Sequence, residues 1–269
     1  MQSESTLHQQ MTRQLKERTL LDQARQYADE YFERVTDMRA VPSEEDKLAL
    51  RLLDEALPVE SQDAEETLAL LQRAGKDTIS AQGGGRYFGF VNGGILPVSL
   101  AARWLGDAWD QNAALYVMSP LTATLEHLCE RWLVDLLGLP EGTAAGFVSG
   151  TSTASLCGLV AGRDYLLRKN GWDVSSRGLF GAPEIRVVLG AGAHSTVYKA
   201  LSILGLGKDR LIQVPTDEQG RMRADLLPEL DSNTLLILQA GNVNSGAFDP
   251  FVEICSKARA ADAWVHIDG

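Results

Sequence analysis

Four short stretches of this 269-residue chain carry side chains able to do chemistry. They are Ser149-Gly150-Thr151-Ser152-Thr153-Ala154-Ser155, Gly190-Ala191-Gly192-Ala193-His194-Ser195-Thr196, Ala240-Gly241-Asn242-Val243-Asn244-Ser245-Gly246, and the closing Trp264-Val265-His266-Ile267-Asp268. The first sets a glycine among hydroxyl residues just ahead of a helical pattern. At such a turn the free N–H groups and the positive helix end meet an anion, and the hydroxyls add donors. An ordinary helix cap has the same composition. The last stretch ends a β-branched, apolar run on a carboxylate. In open α/β sheets that position, just beyond a strand's carboxyl end, is where ligands bind.

Other chemistries fit parts of this set. Gly150-Thr151-Ser152-Thr153-Ala154 is close to a G-x-S-x-G nucleophile elbow with alanine last. Ser152, His194 and Asp268 would then make a hydrolytic triad, in the order Ser, His, Asp rather than the Ser, Asp/Glu, His of α/β-hydrolases. Gly190-x-Gly192-x-x-Ser195 is close to a dinucleotide loop that lacks its third glycine. His266 and Asp268 share a strand face, but His8 and His127 are remote, so no metal site is expected.

The elements that must position these residues are legible from periodicity. From about residue 143 strands and helices alternate. Strand 144–148 precedes helix 153–168, strand 185–189 precedes helix 195–204, and strand 211–214 precedes a short helix at 224–230. Strand 235–239 then precedes helix 250–261, and strand 264–267 follows. This alternation implies an α/β fold, a mainly parallel sheet with flanking helices, and it brings all four polar stretches to one sheet edge. Ser119-Pro120 opens a further helix as cap and first residue, with Leu121, Leu125, Leu128, Trp132 and Leu136 as its expected buried face, stopped by Gly138 and Pro140.

Residues 1–40 carry a helical stripe of Leu21, Ala24, Ala28, Tyr31, Val35 and Met38, ended by Val41-Pro42. The stripe packs either on its own domain or on a second subunit. Ser43, followed by Glu44, Glu45 and Asp46, starts the next helix, a further amphipathic helix runs over 64–74, and then comes a loop with six glycines in the twelve residues 83–94. Its aromatics Tyr87, Phe88 and Phe90 either line a small-molecule pocket or plug the core. The division expected is an N-terminal helical segment with this loop at 1–110, and a ligand-binding domain at 111–269.

A hydrophobic share of 45% supports a real core, and a net charge of −11 repels phosphate backbones, so nucleic acid is not an expected partner. Cys129, Cys157 and Cys255 are odd in number and far apart, which reads as reduced core thiols of a cytoplasmic protein. The polar N-terminus is unlike a signal peptide, and no apolar run reaches membrane-spanning length, so no membrane partner is expected.

Taken together, several motifs are specific in their order and spacing: Ser119-Pro120-Leu121-Thr122-Ala123-Thr124-Leu125-Glu126 with Trp132, 149–155 leading to Ala161-Gly162-Arg163-Asp164, Ala193-His194-Ser195-Thr196, Gly241-Asn242 with Phe248-Asp249, and His266-Ile267-Asp268. Through them residues 85–269 resemble the group II pyridoxal-phosphate-dependent amino-acid decarboxylases, of the aromatic amino-acid and glutamate decarboxylase kind. The resemblance implies the large domain of a fold-type I, aspartate aminotransferase-like PLP enzyme, and a homodimer with the active site at the subunit interface. It implies pyridoxal 5′-phosphate as cofactor and an L-amino acid as small-molecule substrate, converted to its amine and CO2.

The same resemblance assigns Thr151 and Ser152 to the cofactor phosphate and His194 to the face of the pyridine ring, where it also helps position the substrate. It assigns Asn242, at a position usually held by threonine, to the cofactor's hydroxyl and phosphate side, and Asp268 to the pyridine nitrogen. Gly84-Gly85-Arg86-Tyr87-Phe88 stands where the family usually has His-Pro before the aromatic loop. The family's Schiff-base lysine lies beyond the aspartate strand. None of Lys16, Lys47, Lys76, Lys169, Lys199, Lys208 and Lys257 holds that position, so the chain is expected to be the N-terminal portion of the enzyme and inactive alone. The alternatives are a non-catalytic relative of the fold and the hydrolase described above.

Overall fold

The computed structural model describes residues 2–269, with side chains from residue 7 onward. It divides into two compact units, Met1–Asp110 and Gln111–Gly269.

In the first unit lie α1 (Gln2–Glu17), α2 (Thr19–Arg34), a 3-10 helix (Asp46–Leu53), α3 (Ala64–Gly75) and α4 (Pro97–Trp109). The single helix expected at the N-terminus is two, because Arg18 adopts a left-handed φ of 60° between them. α2 stops at Arg34, ahead of Val41-Pro42. Of its stripe, Ala24, Ala28, Tyr31, Val35 and Met38 are half-buried, while Leu21 is exposed. Ser43 and Asp46 cap each other before the 3-10 helix: the Asp46 N–H donates to Ser43 Oγ at 3.2 Å and the Ser43 N–H donates to Asp46 Oδ2 at 2.7 Å. The Ser43 hydroxyl and N–H hold the Asp46 carboxyl below its usual range.

The glycine-rich loop does not enclose its aromatics. Phe88 and Phe90 are 93% and 91% exposed, and Phe90 and Val91 both carry left-handed φ angles. The apolar groove of this unit lies instead between α2 and α4, along Ala28, Tyr31, Val35, Ile95, Leu100 and Trp104.

The second unit contains α5 (Pro120–Leu136), α6 (Thr151–Lys169), α7 (Val174–Arg177), β1 (Arg186–Gly190), α8 (Ser195–Ile203) and β2 (Ile212–Val214). A 3-10 turn (Ala224–Leu226), β3 (Thr234–Gln239), α9 (Phe251–Ala260) and β4 (Trp264–Asp268) complete it. The four strands are all parallel, in the order β2-β1-β3-β4.

Strand alternation sends Val187, Leu189, Leu235 and Ile237 to one face, where they pack with Leu159 and Leu166 of α6 and Val197 and Leu201 of α8. Val188, Leu236 and Leu238 go to the other face, against Ile254 and Ala258 of α9 and Met222. All six residues of β3 are buried, as expected of a central strand covered on both sides. Each such leucine contributes about 1.5–3 kcal/mol by leaving water.

Four of the helix ends in this unit share one device. After α5, α6 and α8 a glycine (Gly138, Gly171, Gly205) takes a left-handed φ, and the next N–H reaches back five residues, Leu139 to Val134, Trp172 to Leu167 and Leu206 to Leu201. α9 ends the same way with Asp262 in place of glycine, φ 55°, and there the Lys169 ammonium bonds both the Asp262 carbonyl and its carboxylate.

Three expectations need correcting. The strand at 144–148 is not formed; that segment finds no ladder partner among the four strands, and its Ala145 N–H donates to Glu130 Oε1 of α5 at 3.0 Å instead. The apolar face of α5 is largely uncovered: Leu121 and Leu125 are each 48% exposed, Trp132 62% and Leu136 80%. Among the cysteines, Cys157 is exposed on α6 rather than in the core.

Candidate active site

The site grows from the seam between α6 and β4. Trp264, His266 and Asp268 alternate along one side of β4 and face α6. The helix comes close because it offers glycines there. A Cβ on Gly162 would sit 2.7 Å from Trp264 Nε1, and one on Gly158 would sit 2.9 Å from the His266 ring. One helical turn earlier Ser155, only 4% exposed, donates from Oγ to Asp268 Oδ1 at 3.1 Å. His266 Nε2 is buried without a partner among the described residues, and burial pushes this imidazole below its usual range against the pull of Asp268.

Asp268 stands at the carboxyl edge of the sheet. It pairs in register with Gln239 of β3, and its carbonyl accepts the Ala240 N–H at 2.6 Å. A small cleft at this edge is lined by Gly190, Gly192, Gln239, Asp249 and Asp268. Asp249, 5% exposed, accepts the N–H groups of Met222 and Gln239 at 2.7 Å each, and so ties two loops of the edge together.

The other expected residues occupy defined places around this edge. Gly150 gives α6 no side-chain cap, and the N–H groups of Thr151 and Ser152 find no bond among the described residues; both side chains are exposed. His194 is the N-cap of α8: its Nδ1 accepts the Thr196 N–H at 3.4 Å and lies 2.8 Å from Thr196 Oγ1. The His194 side chain is exposed. Asn242 organises its own turn, its Oδ1 accepting the N–H groups of Asn244 and Ser245 at 2.9 and 3.2 Å. Its Nδ2 lies over Gly220 and Gly192, near enough that a Cβ on Gly220 would be 2.5 Å away.

The hydrolytic arrangement is not assembled. Asp268 takes its hydrogen bond from Ser155 and His194 from Thr196, and no bond joins Ser152, His194 and Asp268. Among the described residues no lysine lines the cleft; Lys169 and Lys257 are engaged by Asp262 and by Glu253 with the Ala224 carbonyl. Three contributors have no role assigned from the sequence: Ser155, which only closes the 149–155 stretch, Asp249, which stands only within Phe248-Asp249, and Gly158, one turn from Ser155 on a small-residue face of α6.

The model of the pyridoxal-dependent decarboxylase conserved domain matches residues 47–269, and the chain belongs to this family. Human acidic amino acid decarboxylase GADL1 is 27% identical over 68% of this chain and 36% of its own length. L-2,4-diaminobutyrate decarboxylase of Rhizobium meliloti is 30% identical over 63% of this chain and 34% of its own. Tryptophan decarboxylase 1 of rice is 25% identical over 93% of this chain and 52% of its own. The chain thus spans between about a third and a half of the length of these curated relatives. In fold it is similar to crystalline mouse CSAD, with a TM-score of 0.80 at 23% identity over 94% of this chain and 54% of that one. The fold is therefore the α/β, fold-type I architecture of PLP enzymes, and the cofactor of the family is pyridoxal phosphate.

The residues at the sheet edge fit that group in two respects. A carboxylate with one oxygen engaged and one unengaged suits a protonated ring nitrogen, and an uncapped helix end with two free amides and two hydroxyls suits a phosphate.

Proposed function

We propose that the complete protein removes the α-carboxylate of an L-amino acid as CO2 and releases the amine, with this chain supplying most of the cofactor cradle in residues 111–269. The observation that carries the reading is Asp268, a carboxylate tied by Ser155 at the carboxyl edge of a parallel sheet, in a chain of the pyridoxal-dependent decarboxylase family. Pyridoxal phosphate, when bound, supplies a ring that accepts the electron pair left as CO2 departs. Asp268 holds a proton at the ring nitrogen, since an adjacent carboxylate favours the charged form. Thr151 and Ser152 bind the phosphate through their amides and hydroxyls. His194 offers its ring face and Nε2 to cofactor and substrate. Asn242 contributes its amide nitrogen on the phosphate and hydroxyl side.

The lysine that carries the cofactor covalently is assigned to a segment outside these 269 residues. The relatives named for acidic amino acids, diaminobutyrate and tryptophan share an α-amino acid and differ in side chain, so the substrate inferred is that common part. The uncovered apolar faces of α1 (Leu7, Met11, Leu15) and α5 support a homodimer. The three free cysteines and the acidic balance support a cytoplasmic protein.

The test extends the chain in frame to the length of its relatives. The extended protein should develop a visible, borohydride-sensitive band with pyridoxal phosphate and release CO2 from at least one amino acid of a standard panel. The present chain should bind pyridoxal phosphate without that band. An extended protein that binds the cofactor but releases no CO2 would leave the non-catalytic reading standing.

A further inference from the structure

We infer that Ser155 is a positioning residue for the cofactor: its hydroxyl fixes one oxygen of Asp268 so that the other is presented to the ring nitrogen. This rests on the role proposed above for Asp268.

A buried serine inside a helix ordinarily returns its hydroxyl to a carbonyl of its own preceding turn. Ser155 does not. Its Oγ donates to Asp268 Oδ1, 113 positions further along the chain. With Ser155 only 4% exposed, water is a poor substitute for either partner. Among the described residues no other donor reaches the Asp268 carboxylate, so this single bond sets its direction, while its backbone is already held by the β3 ladder and the Ala240 N–H.

The neighbouring glycines make the contact possible. Gly158 and Gly162 let α6 approach β4 more closely than any side chain would permit, with prospective Cβ contacts of 2.9 and 2.7 Å. At that separation a hydroxymethyl group spans the gap. The three positions fall on one helix face, at spacings of three and four, and meet Asp268, His266 and Trp264 in turn.

The test measures binding rather than turnover. Pyridoxal 5′-phosphate and its 1-deaza analogue, in which a C–H replaces the ring nitrogen, are titrated by equilibrium dialysis into the wild-type chain, Ser155→Ala and Ser155→Thr. The wild type should prefer the natural cofactor. Ser155→Ala should lose roughly tenfold of that preference, the scale of one hydrogen bond to a charged group. Ser155→Thr, which keeps the hydroxyl, should retain it, and circular dichroism of all three reports whether the fold is kept. Equal weakening of both ligands in Ser155→Ala, with the preference intact, would overturn the inference and leave the role of Asp268 standing. A wild type with no preference, or one that binds neither ligand, would refute the Asp268 reading and this inference with it.

Discussion

α5 and α6 are built by the same local rules and meet different fates. Each has its ends set by punctuation readable in the sequence, Ser119-Pro120 and Gly138 for one, Gly150 and Gly171 for the other, and each closes with the same back-reaching N–H. Yet Leu159 and Leu166 of α6 are fully buried on the sheet, whereas Trp132 and Leu136 of α5 are 62% and 80% exposed. Amphipathicity says which side of a helix is apolar; it does not say that a partner is present. A helix closes its hydrogen bonds within itself, so α5 can form without one, and in this unit it does.

The comparison can be broken by truncating the two helices. Leu159→Ala should cost about 2–5 kcal/mol, as expected for a cavity in a packed core, while Leu136→Ala should stay within about 0.5 kcal/mol. Chemical denaturation of the two variants reads the difference. Equal losses would mean that the α5 face is covered in solution, and sedimentation would then identify a second copy.

A smaller effect sharpens the account of why α6 is seated. Gly162→Ala drives a methyl group to within 2.7 Å of Trp264 and 3.0 Å of Leu235, so β4 or its indole must move. Overpacking of this kind costs about 1–3 kcal/mol, which lowers the melting temperature of a chain this size by roughly 2–12 °C. Gly106→Ala on α4, where nothing lies within 4 Å, should not lower it.

The smallest effect concerns His266. Burial depresses its pKa in the folded chain, so the unfolded chain binds the proton more readily. Stability from this group is therefore present above about pH 6.5, the ordinary imidazole value, and is lost as pH falls below it. His266→Asn should flatten the acid side of the stability–pH curve by up to one proton. An unchanged slope would show that the ring is not held neutral.

The site was legible to unequal degrees. Thr151, Ser152, His194, Asn242 and Asp268 are all expected from the sequence, by their places after expected strands and by the family resemblance, although the strand expected before Thr151 and Ser152 does not form. What each does locally was not legible. His194 caps α8, and Asn242 closes its own turn, since a side chain within two or three residues of a free N–H takes it before any distant partner can. The strand at 144–148 was misread for a related reason. Its composition suits a strand, but a strand exists only when another strand accepts its hydrogen bonds, and none of the four does.

Sequence alone therefore determined the ends of α5, the places of β1 to β4 along the chain, and the polar stretches that follow β1, β3 and β4. Those follow from interactions spanning a few residues and from the handedness of parallel crossovers. Only the tertiary structure decided which apolar faces are covered, that Gly158 and Gly162 admit β4, and that Ser155 holds Asp268. Each of these depends on groups far apart along the chain, 113 positions for Ser155 and Asp268, and no local preference encodes it.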